Sequence, residues 1–404
     1  MRCSTLTLAL LLLGVCAFAQ QPLVANKKWG NVNVSVDVNQ LWNYNRYEGS
    51  RWGIGGEVNT PLKSDRQKPI LAQRKLFLSA YGGWGYRDHG WKYGAKAGLR
   101  LPQGLMQRDL FVEYKHDLTL SGKIGDKDYQ LFALGSTPGF FSSHYVAFDR
   151  LRVGCISGLF DQHFGLDYRY SREHYLFSPD TLLYPLLHEA DALNPYYYTT
   201  TFHALHFFLS PQRAAWSLTL DMGHFASKME SGYYAKLLTE WDKKLYNKAD
   251  ATVRLYLRGG AVTPNAPYSR LFDLSGTAFA PLFFGNTFMT VRPNTFMAHA
   301  FAQANLMYES PKLWDKQWTH PRIVAQLNGM IGVARLPEGD SAYPLAAPNQ
   351  GILEPLVGID RLLTFGILDL GVAVACQLTP ASADYHLPHF SDGITLLGKM
   401  SLVN

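Results

Sequence analysis

Few residues of this 404-residue chain stand at spacings that could do chemistry. Gly154-Cys155-Ile156-Ser157-Gly158 loosely matches a nucleophile elbow, the sharp turn that lifts a serine towards a histidine and an acid, but its serine comes one position late. His203 and His206 are three apart in a stretch that reads as a strand, so they face opposite ways and cannot share a metal. His188 and Glu189, with Asp191 close by, could hold a cation from a long loop. Asp161, His163, Asp167 and His224 would be the candidates if catalysis sat at the rim of a barrel. No P-loop, H-E-x-x-H or C-x-x-C accompanies them. The expectation is a protein without enzymatic activity, resident metal or cofactor.

The charges are more informative than any motif. Lys92, Lys96 and Arg100 alternate with Trp91, Tyr93, Ala95, Ala97, Leu99 and Leu101. Glu113, Lys115 and Asp117 alternate with Val112 and Tyr114, and Arg254 and Arg258 with Val253, Leu255 and Leu257. Successive side chains of a strand point to opposite faces, so each stretch has one charged and one apolar face. Residues 31–38, Asn-Val-Asn-Val-Ser-Val-Asp-Val, follow the same rule. A charge facing lipid at mid-membrane costs about 2–4 kcal/mol. Lys92, Lys96, Arg100, Glu113, Lys115, Asp117, Arg254 and Arg258 are therefore expected to line a wet lumen.

The elements that would hold them are strands, and they follow an export signal. Arg2, the apolar run Leu6 to Val15 and Ala17-Phe18-Ala19 have the layout of a signal peptide over 1–19. A lipobox ending at Cys16 is a rival reading, disfavoured by the bulk of Val15. Residues 20–30 read as a short periplasmic segment and 31–404 as the barrel. Candidate strands fall near 31–45, 50–61, 75–87, 90–102, 107–121, 147–157, 161–174, 198–210, 213–225, 233–245, 250–262, 295–310, 321–336, 350–360, 363–377 and 390–403. The fold class this predicts is all-β, a transmembrane antiparallel barrel of sixteen strands within a range of fourteen to sixteen. Connections at one end are short (103–106, 158–160, 211–212, 246–249, 361–362), whereas 122–146, 175–197, 263–294, 337–349 and 378–389 are long. Outer-membrane barrels have short periplasmic turns and long surface loops in this way. A soluble β-sandwich or propeller would also alternate, but it explains neither that asymmetry nor the 14% aromatic content. Cys155 and Cys376 fall on distant strands and are not expected to pair. The net charge of +6 is spread without a basic block, which argues against nucleic acid.

Three stretches carry a family resemblance. They are 44–59 (YNRYEGSRWGIGGEVN), 75–99 (KLFLSAYGGWGYRDHGWKYGAKAGL) and EPLVGIDRLLTFGILDLGVAVACQL near the C-terminus. They resemble a Gram-negative outer-membrane barrel family of unassigned function, whose longer members carry a carboxypeptidase-regulatory-like domain. These barrels are in turn distantly similar to the BamA/TamA surface-antigen barrels, which insert or export other outer-membrane proteins. The resemblance implies that the sixth outer loop, 263–294, folds into the lumen, with Arg292 of Val291-Arg292-Pro293 as the candidate lumen contact. Pro293 stands where that family has glycine, and the final residue is Asn404 rather than an aromatic. Only about ten residues separate the cleavage site from the first expected strand, so periplasmic domains would have to come from a partner.

The functional expectation is an integral outer-membrane barrel, reached by Sec-type export, that assists assembly or export or serves as a scaffold. The alternatives are a passive channel for small polar solutes and, third, a rim-active enzyme. Expected partners are outer-membrane lipid and lipopolysaccharide, with other outer-membrane or periplasmic proteins.

Overall fold

The computed structural model describes residues 24–29, 32–37, 41–45, 47–61, 75–101, 106–120, 144–159, 162–177, 199–211, 215–248, 250–274, 288–291, 296–316, 318–334, 347–365, 368–378 and 394–402. Its strands are β1 (Val24–Trp29), β2 (Val32–Asp37), β3 (Trp42–Asn45), β4 (Gly49–Pro61), β5 (Lys75–Gly85), β6 (Trp91–Leu101) and β7 (Met106–Leu120). There follow β8 (His144–Leu159), β9 (Gln162–Phe177), β10 (Thr200–Pro211), β11 (Trp216–Ala226), β12 (Ser231–Lys248) and β13 (Ala251–Val262). The last are β14 (Phe272–Asp273), β15 (Met297–Ala298), β16 (Ala300–Glu309), β17 (Arg322–Val333), β18 (Ile352–Phe365), β19 (Leu368–Cys376) and β20 (Ile394–Leu402). Eighteen of them form one sheet, and β14 with β15 makes a separate two-stranded pair.

The ladders of the large sheet are antiparallel and, apart from β2–β4 and β13–β16, join strands that follow one another in the chain. Strands β2 and β3 share one position beside β4, with the register slipping between Asp37↔Gly55 and Trp42↔Trp52. Each of the sixteen expected strands has a counterpart. The first is split into β2 and β3, several ends move by a few residues, as at His144 of β8 and Lys248 of β12, and two differences change the architecture. The segment expected to precede the first strand instead contributes β1, which pairs from Val24↔Asp37 to Trp29↔Val32. Its sequence does not alternate, so the open edge of β2 decides its conformation. The turn expected at 361–362 lies inside β18, which runs on to Phe365. Arg361 takes φ 54 there, the ladder slips between Ile359 and Leu363, and pairing resumes at Leu363↔Leu370. A bulge of this kind preserves the strand while adding a residue. Among the described residues β1 and β20 share no ladder.

The two faces of the sheet invert the order of a soluble protein. On β8, Leu151 and Val153 are exposed while Arg150 and Arg152, which alternate with them, are buried. On β7, Val112 and Tyr114 are exposed and Glu113 is buried. Further round, Leu327 and Ile331 are exposed and Asn328 is fully buried. An apolar face left outside and charges enclosed within suit a sheet whose outer solvent is hydrocarbon. Tyr233 and Trp241 mark the two margins of that face on β12, eight residues apart, or about 26 Å along the strand. Along a strand tilted by about 35–45° this rises about 18–21 Å, somewhat less than the about 25 Å apolar band between aromatic girdles.

The connection 310–321 lies at the short-turn end and is held as a compact unit. Leu313 N–H donates to Pro321 O (2.8 Å), Trp314 Nε1 to Thr319 Oγ1 (3.0 Å) and Thr364 N–H to Trp318 O (2.8 Å). Lys312 beside Asp315 holds that carboxyl below its usual range, and His320 adds to the effect. This small contribution is present at neutral pH and fades as acid protonates Asp315.

The inverted faces set one expected outcome. Val153→Arg, near the middle of the exposed face of β8, should destabilise the protein by about 2–4 kcal/mol in a denaturant titration in lipid vesicles, and Ala147→Arg, near the strand end, by about 0–1 kcal/mol. Equal costs at both positions would refute lipid as the solvent of this face.

Candidate functional site: the enclosed face and the loop that fills it

Antiparallel pairing sets charged residues of adjacent strands side by side on the buried face. Lys92 is buried and its ammonium lies 2.8 Å from Asp88 and 3.6 Å from Glu48. Lys96 stands over the ring of Phe111, at 4.2 Å from its centre. Arg100 pairs with Asp109 at 3.1 Å and reaches Glu57 at 3.8 Å. Glu113 bridges Lys115 (3.0 Å) and Arg152 (2.9 Å). Asp117 accepts from Arg51 (2.7 Å) and from the Tyr81 hydroxyl (2.5 Å). Arg254 donates to Asp242 (Nε–Oδ1 2.6 Å), and Arg258 pairs with Glu240 at 3.2 Å. Arg292 lies outside the described residues.

Several members of this network escape a reading of spacing alone. Glu48 is fully buried in the turn between β3 and β4, where its backbone N–H donates to Asn45 Oδ1 (2.8 Å) and its carboxylate receives Asn45 and Arg51. Gly49 follows at φ +70, a conformation that disfavours side chains, so Asn45, Glu48 and Gly49 account for the Y-N-R-x-E-G stretch. The motif is visible in the sequence, but the partners Arg51, Lys92 and Asp117 come together only through sheet register. A second chain of pairs runs from Glu113 through Arg152 and Asp167 to Arg169.

The residues weighed for catalysis do not converge. Asp167 is held by two arginines, with Arg152 at 3.0 Å and Arg169 at 2.6 Å. His224 stacks edge-on against Tyr233 on the opposite face of the sheet, and His163 is exposed. Gly154 to Gly158 lie inside the β8 ladder as extended backbone, not as a turn. His203 is exposed and His206 buried, as their odd spacing requires. Cys155 on β8 and Cys376 on β19 are free thiols. Asp161, His188, Glu189 and Asp191 lie outside the described residues. Among the described residues no group of three or more His, Cys, Asp or Glu could hold a metal ion.

The described parts of the sixth outer connection, between β13 and β16, pack against the buried face of the sheet. The connection begins with a short 3-10 turn at Tyr268–Arg270, after which Leu271, Phe272 and Leu274 are buried. They pack with Phe288, Val291, Phe296, Met297 and Ala298 of the same connection, and with Leu238, Val262, Phe301, Met330 and Ile352 of the wall. Two carboxylates anchor this apolar body. Glu173 on β9 receives both terminal nitrogens of Arg270, at 3.0 and 2.9 Å, and Arg270 lies 3.8 Å above the centre of the Phe202 ring. Glu354 on β18 receives the backbone N–H of Met289 (3.0 Å) and Thr290 (2.7 Å), the Thr290 hydroxyl (2.5 Å) and Asn328 Nδ2 (3.0 Å). In the sheet β9 and β18 are separated by β10 to β13, β16 and β17, so one connection spans two well-separated parts of the wall.

No protein-family model and no curated protein matches the chain. Solved structures similar to it at low identity include the following three. BamA from Haemophilus ducreyi lacking POTRA domains 1-3 is 10% identical, with 99% of this chain and 78% of that chain covered and a TM-score of 0.45. CdiB from Escherichia coli is 12% identical, with 93% and 63% covered and a TM-score of 0.43, so the chain spans less than two thirds of CdiB. A bacterial polysaccharide outer membrane secretin is 9% identical, with 93% and 96% covered and a TM-score of 0.32.

The Arg270–Glu173 pair is expected to behave as a buried ion pair. Glu173→Ala should cost about 3–5 kcal/mol in a denaturant titration, because it strands the buried guanidinium of Arg270 and weakens that of Arg150 (3.4 Å), and Arg270→Met in the same chain should recover part of that loss. Additive costs of the two substitutions would mean that they do not act on one contact.

Proposed function

We propose that this chain is a non-enzymatic outer-membrane β-barrel, exported by a Sec-type route, that assists the assembly or export of other outer-membrane proteins, with partner subunits where periplasmic modules are needed. The observation that supports this reading is the apolar body packed on the buried face of the sheet. A connection with its own apolar core, tied to Glu173 and Glu354, leaves the enclosed face unsuited to free diffusion of solutes. The outermost strands support it further. β1 and β20 are six and nine residues long, and such short edges can exchange partners with an added strand. A passive channel for small polar solutes would require the connection to leave the lumen, and therefore both carboxylate contacts to break.

Depletion of the protein, followed by quantitative proteomics of the outer membrane, should show a broad fall in other barrel proteins. Unchanged barrel levels would reject the assembly role. In planar bilayers the purified protein should be electrically silent, and Glu173→Ala/Glu354→Ala should open measurable conductance. Steady current through the unaltered protein would favour the channel instead.

A further inference from the structure

The exposed apolar face carries a feature that the enclosed face does not explain. Trp42 on β3 pairs in register with Trp52 on β4, Trp52 with Trp84 on β5, and Trp84 with Trp91 on β6. Four neighbouring strands thus each supply one tryptophan to a single row near their outer ends. Residues directly opposite in adjacent strands lie about 4.5–5.5 Å apart, so the row is about 15 Å long. Trp52 and Trp91 remain 62% and 61% exposed, and Trp84 meets Trp91 edge-on at 5.3 Å.

The surroundings of the row are graded. One pair of residues deeper, the row reads Ile54, Gly82 and Tyr93 in register. A Cβ built on Gly82 would meet nothing within 4 Å, so the surface dips there between the rings. Beyond the row, the turn 86–90 presents exposed Tyr86, Arg87 and His89. That turn is fastened to the preceding one, since Tyr86 N–H donates to Ser50 O (2.9 Å) and Arg87 N–H to Glu48 O (2.7 Å). On the reverse side of the same strands Arg51, Glu48, Lys92 and Asp88 form the ion-pair network, which fixes the platform from behind.

We propose that this platform binds a phosphorylated glycolipid of the outer leaflet. Acyl chains meet Ile54 and the dip at Gly82, sugar rings lie on the tryptophan row, and phosphate faces Arg87 and His89. The order of the three layers matches the order of the three parts of such a lipid. Indole faces are electron-rich and accept the polarised C–H groups of a sugar, while guanidinium recognises phosphate in a bidentate manner. A general aromatic girdle needs neither four rings in one register nor cations aligned above them.

The inference rests on placing these strands in the outer membrane, which heat-dependent migration of the folded protein on gels tests separately. Protein extracted in mild detergent should retain lipopolysaccharide by native mass spectrometry. Trp52→Leu and Trp91→Leu keep the face apolar and should each lower that retention about fivefold, with phospholipid unchanged. Arg87→Gln should weaken it as well. As a check that needs no variant, tryptophan emission of the unaltered protein in phosphatidylethanolamine/phosphatidylglycerol vesicles should shift on adding lipopolysaccharide and not on adding its lipid-free oligosaccharide. Equal retention in the variants, a parallel loss of phospholipid, or a shift with the free oligosaccharide would each overturn the proposal.

Discussion

A single sheet that leaves its apolar face exposed has only its other face with which to build an interior. That constraint organises the whole chain. Side chains that would form the core of a soluble protein, such as Leu151, Val153 and Ile331, are turned outward. The interior is left with arginines, lysines and carboxylates, and burying these is costly unless each finds a partner. Antiparallel register supplies the partners from adjacent strands, as in Glu113–Arg152 and Arg152–Asp167. The ion pairs are thus less a source of stability than a condition for closing the polar face away from water.

The same constraint explains why an outer connection is the chain's principal apolar core. Phe272, Phe288, Phe296 and Met297 find no cover on the exposed apolar face and collect on the buried one, against Leu238, Met330 and Ile352. Both ends of the body are tied by carboxylates, but by different chemistry. Glu173 meets a guanidinium, whereas Glu354 meets backbone N–H groups, a hydroxyl and an amide. Losing the first contact strands a charge. Losing the second leaves two backbone N–H groups, a hydroxyl and an amide without their acceptor.

Alternation makes the strands and their two faces legible, because period-two patterning is a local property of the chain. The sixth connection is legible only as a length. What ties it to the walls is not: Arg270 carries no local mark, since its partner Glu173 is 97 residues away, and Thr290 meets Glu354 across 64. The arginine that the family resemblance singles out is Arg292, which lies outside the described residues. β1 and the Arg361 bulge escape the sequence for a related reason: each is decided by a neighbouring strand and not by its own residues. The tryptophan row is similarly invisible until the register of four strands aligns it.

The most direct test asks whether the tip of the sixth connection is enclosed. In a chain carrying Cys155→Ala and Cys376→Ala, either Thr290→Cys or, as an exposed control, Lys228→Cys is introduced, and its reaction with a membrane-impermeant maleimide is timed in lipid vesicles. The account predicts that position 290 reacts at least about tenfold more slowly than 228, the ratio enforced by a closing free energy of about 1.4 kcal/mol. Adding Glu354→Ala should then raise the rate at 290 towards that of the control. Equal rates at 290 and 228 in the chain that keeps Glu354 would contradict the filled lumen.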